Sequence, residues 1–308
     1  MHVAKKEESL GVYFPNPALY QYCFEYTIDL KFRPGLELQA LDLGADWAHV
    51  IIEPRLGLSI TSGTNMNVDV GSIVSGGSIY SKHSDFQVLV GAITGNYTLE
   101  RNLRLASAVG DIDAHVAPNS SRTIEWEDAH LDVATNVGSI NVDFPYTGYG
   151  HLAEREYFTH IHAGKSGKVT GQYLLGSHMT IDGAAAEIDI DVLPYLITNS
   201  SRLESTTGVG ELRLRMLVPE NAGIERINTL FSSHVASTGA LDLQYPRQWE
   251  GSLHGRVDVG HIEIAGGFDE IQRGQKGIVG EWVKARKGNG GSELNVTTHT
   301  GHASIKLV

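Results

Sequence analysis

Apolar and polar residues alternate along this chain in short runs, and a glycine interrupts each run. In residues 103–116, LRLASAVGDIDAHV, the alternation holds up to Val109 and resumes at Ile112 with its phase shifted by one position. Residues two positions apart share one face of a β-strand. Glycine adopts positive φ without a steric penalty, so Gly110 predicts a sharp corner between two short strands that turn one apolar face inward.

This strand–corner–strand unit recurs about ten times, with a basic interval of 19–21 residues. A short fixed period predicts a stack in which each unit buries its apolar face on its neighbours. Longer intervals, together with prolines that end several units, indicate loops inserted between units. The predicted corner positions are Gly71, Gly91, Gly110, Gly138, Gly167, Ala186, Gly210, Gly239, Gly260 and Gly301.

The fold predicted from this pattern is all-β. It is a single domain over residues 1–308 that forms a β-solenoid, or parallel β-helix, of about ten short repeats; an elongated β-sandwich is the alternative. Residues 1–65 are predicted to form a polar tail and an aromatic N-terminal cap, and residues 66–308 the stacked repeats with loop insertions.

The cap region is unusually aromatic. Tyr20, Tyr22, Phe24 and Tyr26 follow one another at a spacing of two, which places their rings on one strand face. Two interpretations stay open: the rings close the end of the stack, or they form one wall of a ligand pocket.

LDVATNVGSINVDF fits the pattern L-x-[IV]-x-T-x-x-G-x-I, and LESTTGVGELRLRM follows it except for Ser205 and Leu212 at the third and last positions. Over about residues 66–308 the chain resembles the adhesin-like β-solenoid domain family, in its fungal branch. The resemblance implies a parallel β-solenoid and no established activity. The turns of this chain carry Asp, Glu, Lys and His where the family tends to have small residues, which argues against a simple role in surface adhesion.

Composition narrows the partners. Lys and Arg total 24 against 36 acidic residues, a formal charge of −12, so neither nucleic acid nor an anionic membrane surface is a predicted partner. No run of 18 apolar residues occurs, which predicts no membrane insertion. A cytoplasmic location is the simplest expectation, although four Asn-x-Ser/Thr sequons leave secretion open. The oligomeric state stays open.

Candidate chemistry lies at the corners. The residue after each corner position is predicted to line up with its equivalents in a row, since neighbouring units of a stack are about 4.8 Å apart. Glu211, His261 and His302 are the candidate catalytic residues in that row. The alternative is that these charged side chains simply face water. The full row is Ser72, Ala92, Asp111, Ser139, Lys168, Glu187, Glu211, Ala240, His261 and His302.

Motifs for cofactors and metals are absent from the sequence. There is no phosphate-binding glycine loop, no HExxH and no GxSxG, so no cofactor is predicted. His160 and His162 share a strand face, but no third ligand stands at metal-binding spacing, so no metal is predicted either.

Three functions remain. The first is a cofactor-independent isomerase or cyclase, including pericyclic chemistry, acting on a small, largely apolar metabolite of secondary metabolism. The second is a non-enzymatic, adhesin-like binding or structural solenoid that recognises glycan or protein. The third is a polysaccharide-cleaving β-helix enzyme. An enclosed apolar pocket of several hundred Å³ would favour the first, and a solid core would favour the others. The candidate substrate contacts are Tyr20, Tyr22, Trp126, Tyr149, Tyr157 and Phe158.

Overall fold

The computed structural model describes residues 2–6, 9–13, 29–32, 36–118, 127–144, 155–195, 200–218 and 226–308. The chain divides into two units, Met1–Arg33 and Pro34–Val308. In the first, strands β1 (His2–Lys6) and β2 (Ser9–Tyr13) pair antiparallel. Within the described ranges all regular secondary structure is strand, and no helix is long and apolar enough to cross a membrane. The all-β prediction is confirmed.

The second unit is built from sixteen strands, nearly all of them paired in parallel. The antiparallel pairs are β15–β17 and β16–β17. The strands are β3 Glu37–Ile52, β4 Gly57–Ser75, β5 Ser78–Leu99, β6 Asn102–Val109, β7 Ile112–Pro118, β8 Ala129–Val137, β9 Ile140–Asp143, β10 Tyr157–Leu175, β11 His178–Gly183, β12 Ala186–Pro194, β13 Ser201–Met216, β14 Leu230–Tyr245, β15 Gly251–Ala265, β16 Glu270–Lys276, β17 Gly280–Lys287 and β18 Ser292–Leu307.

The predicted glycine corners are present. All nine predicted glycines have φ between +135° and +148°, and Ala186 pairs with Gly167 in the same column. At Gly110 a Cβ would lie 1.9 Å from the carbonyl oxygen of Gly91, so only glycine fits. Each corner lies between two strand segments, which are called the first leg, before the corner, and the second leg, after it. A first leg together with the second leg that follows it is called a rung. In-register pairing begins with β3, within the residues assigned to the cap.

Strand pairing closes a ring in the middle of the second unit. β5 and β10 run through their corners without a break, and between them each leg is a separate strand. The first legs β6 and β8 join β5 to β10 on one side, and the second legs β7 and β9 join them on the other. The result is a closed ring of six parallel strands, which the remaining strands extend in both directions.

The core lies between the two legs. Alternate residues point inward, as Leu103 and Leu105 do on the first leg and Ile112 on the second, each no more than 1% exposed. Burying one such side chain contributes roughly 1.5–3 kcal/mol. The largest fully buried side chains are Trp249, Tyr157, Tyr173, Tyr245 and Phe144.

The order of the last rungs differs from the order of the sequence. Gly239 and Gly260 are one basic interval apart in the sequence, but they do not pair with each other. Instead Gly301 pairs with Gly239, and Gly260 pairs with Gly301 on its other side. Strand β18 therefore lies between β14 and β15.

Candidate functional site

The outer surface of the first legs forms a flat face, called the first-leg face below. Six adjacent strands contribute three side chains each, and these stand in three rows because the pairing is in register. Six rungs span about 24 Å at the usual strand spacing. The first row is His83, Asn102, His130, Phe158, His178 and Arg202. The middle row is Asp85, Arg104, Asp132, His160, Thr180 and Glu204. The third row is Gln87, Ala106, Ala134, His162, Asp182 and Thr206.

Acidic and basic side chains alternate along the middle of this face. Arg104 lies 3.7 Å from Asp85 and 3.6 Å from Asp132, and His160 lies 3.3 Å from Asp132 and 3.6 Å from Asp182. Pairs this exposed stabilise a fold by only about 0–1 kcal/mol each. Their main consequence is to hold carboxylate and imidazole groups at fixed, accessible positions.

The row beside these ion pairs carries rings and an amide. His130 and Phe158 stack with their centroids 4.8 Å apart and their planes at 12°. The side chain of Asn102 lies 2.8 Å from the Nδ1 of His83. Next to Phe158, His178 lies 3.5 Å from Glu204. The hydrogen bond from Arg202, and to a lesser extent the contact with His178, holds the pKa of Glu204 below its usual value, so that this acid is ionised.

The predicted corner row is confirmed by the pairing. Some neighbours in it are joined by polar contacts, such as Ser139 N–H to the Asp111 carboxylate at 2.7 Å and Lys168 to Glu187 at 2.9 Å. His49 on β3 extends it, 2.8 Å from the hydroxyl of Ser72. Most side chains of the row are half-buried, and Asp111, Glu187 and His261 are exposed.

The three candidate catalytic residues do not meet in one place. His261 and His302 stack with centroids 5.9 Å apart. Glu211 lies two rungs from His302, with Ala240 between them, and its carboxylate is 2.9 Å from Arg213. No bond therefore links Glu211 to either imidazole.

A carboxylate that the sequence did not single out takes the place beside His261. Glu281 on β17 lies 2.9 Å from the Nδ1 of His261 and accepts a hydrogen bond from the backbone N–H of Ile262. The Ile262 bond and then the His261 contact lower the pKa of Glu281. This glutamate belongs to an excursion outside the repeats, so the repeat pattern carried no signal for it.

The candidate substrate contacts are dispersed. Tyr157 is a core residue, 1% exposed, packed against Phe144 with the Arg155 guanidinium 5.2 Å above its ring, so it has no surface for a ligand. Its neighbour Phe158 points outward into the first-leg face. The other four, Tyr20, Tyr22, Trp126 and Tyr149, lie outside the described residues.

One small concave feature lies on the part of the chain that the structure describes. A depression of about 150 Å³, open to solvent, lies at the second legs of β15 and β18, lined in part by Ile264, Arg273 and Lys306. Ligand pockets for small molecules usually enclose roughly 300–1,000 Å³. Among all the residues that the structure describes, no group of three or more His, Cys, Asp or Glu side chains is placed to hold a metal ion.

His234 in the core contacts a serine hydroxyl, as the histidine of a catalytic serine–histidine pair does. Ser205 Oγ lies 2.6 Å from His234 Nδ1, and the Tyr245 hydroxyl lies 2.7 Å from His234 Nε2. All three residues are at most 1% exposed, and burial lowers the pKa of His234 to about 3. A neutral imidazole that no substrate can reach has a structural role: its ring nitrogens satisfy two buried hydroxyls.

The chain was also compared with known proteins. No family model, no curated protein and no solved structure matches it. The resemblance to adhesin-like β-solenoid domains therefore stays a prediction.

Proposed function

We propose that this protein is a non-enzymatic binding module that recognises an extended, neutral glycan along the first-leg face. The observation that carries the proposal is the row of fixed side chains from Asp85 through Arg104, Asp132 and His160. Sugar hydroxyls both donate and accept hydrogen bonds. Carboxylates accept, guanidinium groups donate, and the two ring nitrogens of an imidazole offer further hydrogen-bonding positions, so this row matches a chain of hydroxyls.

The proposal includes a β-solenoid as the scaffold. In-register parallel rungs with nine glycines of positive φ in one column support this architecture. Such a stack repeats its outer surface every rung, about 4.8 Å, which suits a ligand that is itself a linear repeat.

A glycan fits this face better than a protein does. The centres of protein–protein interfaces are depleted in charged residues and rich in buried aromatic anchors. The first-leg face has its charged residues in the middle row and its ring pair, His130 and Phe158, to one side. The face and the chain are both acidic overall, which favours neutral sugars over anionic ones.

The enzyme hypothesis, which the sequence ranks first, has less support from the described residues. Glu211 is separated from the two histidines, Tyr157 is buried, and the depression near Ile264 is small and open. The pair of His261 and Glu281 is the arrangement that favours it, because a carboxylate can orient an imidazole as a general base.

The test is a glycan array followed by calorimetry on any neutral glycan that binds. The chain offers a matched control, because His115 and Asp143 form a similar exposed pair on the second legs, at 3.2 Å. We expect His160→Ala to weaken binding by about 5–30-fold, the worth of a lost hydrogen bond or two. His115→Ala should leave the affinity unchanged.

Two results would overturn the proposal. One is an array on which no neutral glycan binds the wild-type protein. The other is a bound glycan whose affinity falls equally with His160→Ala and His115→Ala, which would place the ligand away from the first-leg face.

A further inference from the structure

The slot occupied by β18 is the feature that points beyond the proposed function. Strand β18 pairs along nearly its whole length with β14 on one side and with β15 on the other. Both neighbours precede it in the chain. Both walls of the slot are thus formed by residues that are synthesised before the strand that fills it.

The walls are held together by contacts that do not involve β18. The link from β14 to β15 carries Trp249, which is fully buried 6.2 Å from Tyr245. Ile227, just before β14, forms a bridge with Trp249 and accepts a hydrogen bond from the backbone N–H of Glu250 at 2.9 Å. On its far side the first leg of β15 pairs with β17.

The connection that leads into β18 is rich in glycine and is called the hinge below. Residues 288–291 read Gly-Asn-Gly-Gly, and Gly288 has φ of +59°. Three glycines in four residues tolerate large changes of backbone direction. The strand is anchored just beyond, where the buried Ser292 hydroxyl donates to the Ile227 carbonyl and accepts from the Leu230 N–H, each at 3.1 Å.

We propose that β18 is an exchangeable strand, and that the slot between β14 and β15 is a binding site for β18 of a second copy of this chain. The slot requires a glycine at the corner of the strand that fills it, because Gly301 sits where a Cβ would lie 1.8 Å from the Gly239 carbonyl oxygen. Opening of the hinge releases the strand, and reciprocal insertion yields a strand-exchanged dimer with the same contacts as the monomer.

The first test uses the full chain with a protease site inserted between Asn289 and Gly290. After cleavage, a labelled synthetic peptide of residues 292–308 is added in excess, below the melting temperature. We expect the labelled peptide to replace the resident strand over time. Failure to exchange at every temperature up to global unfolding would overturn the proposal, because β18 would then be inseparable from the core.

Two variant peptides sharpen this test. A Gly301→Val peptide should enter at least about tenfold less well, since valine is strained at φ of +141° and collides with Gly239. A Thr300→Val peptide is the matched control, because Thr300 is exposed at the corner, and it should enter like the wild type. Equal entry of both would show binding that does not use the slot.

A second measurement needs no insertion. Two preparations of the intact chain with different isotopic mass are concentrated together, warmed below the melting temperature, cooled and diluted. We expect mixed dimers that persist on dilution and whose yield changes when Asn289 and Gly290 are deleted, since hinge length governs strand exchange. Only monomers in both the intact and the shortened chain would contradict the proposal. Neither test depends on glycan binding.

Discussion

Acid should destabilise this protein through one buried histidine. His234 is fully buried, and its hydrogen-bond partners are the neutral hydroxyls of Ser205 and Tyr245. No carboxylate bonded to the ring compensates a positive charge there, so burial lowers the pKa of His234 from 6.5 to about 3. Between these two pH values the unfolded chain holds a proton on this ring that the folded chain does not.

The magnitude follows from linkage. Because the folded pKa of His234 lies below the unfolded value, stability is present above pH 6.5 and falls as the pH falls towards 3. Each pH unit in that window costs about 1.4 kcal/mol, so about 2 kcal/mol is lost between pH 6.5 and pH 5. The acids with lowered pKa, such as Glu204 and Glu281, start from 4.5 and lose their contribution only at lower pH.

Hydrogen exchange at pH 7 and pH 5 measures this loss where it occurs. The amides of β13 and β14 should lose protection at pH 5, after correction for intrinsic exchange, by more than those of β5 and β6. In His234→Gln, which keeps an amide between the two hydroxyls, the extra loss should vanish. His115→Gln, at an exposed position, is the control. The reasoning is refuted if His234→Gln and the wild type lose equal protection.

Three further predictions concern single positions. Gly110→Val should lower stability by a few kcal/mol, because its φ of +148° strains a β-branched residue, and an unchanged melting temperature would contradict this. The buried Tyr157 hydroxyl has no hydrogen-bond partner among the described residues, so Tyr157→Phe should leave the free energy of unfolding, measured by denaturant titration, unchanged or raise it by up to about 1 kcal/mol. If the protein turns over a metabolite, Glu211→Gln, His261→Ala and His302→Ala should each lower the turnover rate. Three variants that all keep the wild-type rate would exclude a catalytic role for the corner row.

The corners were predictable because their signal is local. At Gly110 the sequence shows the break in alternation. The steric reason for glycine is the close approach of the Gly91 carbonyl oxygen in the neighbouring rung. The same holds for the corner row, since a residue after a corner such as Lys168 must stand beside its equivalent, Glu187, once the rungs are in register.

The first-leg face was harder to predict, because its partners are set by loop lengths. His160 and His162 share a face, as the alternation indicates. The contact of His160 with Asp132, however, depends on how many residues the loop before β10 contains. Outward positions also lack the apolar period that marks inward ones, so rows such as Asp85, Arg104 and Asp132 become visible only when the register is known.

Strand order departs from the order of the repeats at β14, β15 and β18, and an edge that is already occupied gives a physical reason. Gly239 and Gly260 are one basic interval apart, so β15 has the spacing to stack directly on β14. In that order β18 would have to pair with the outer edge of β15. Strand β17 holds that edge over residues 251–257 through its antiparallel pairing. Between β14 and β15, in contrast, β18 finds a free edge on each side and forms two ladders instead of one. The antiparallel excursion, which carries no repeat, therefore decides how the repeats are ordered.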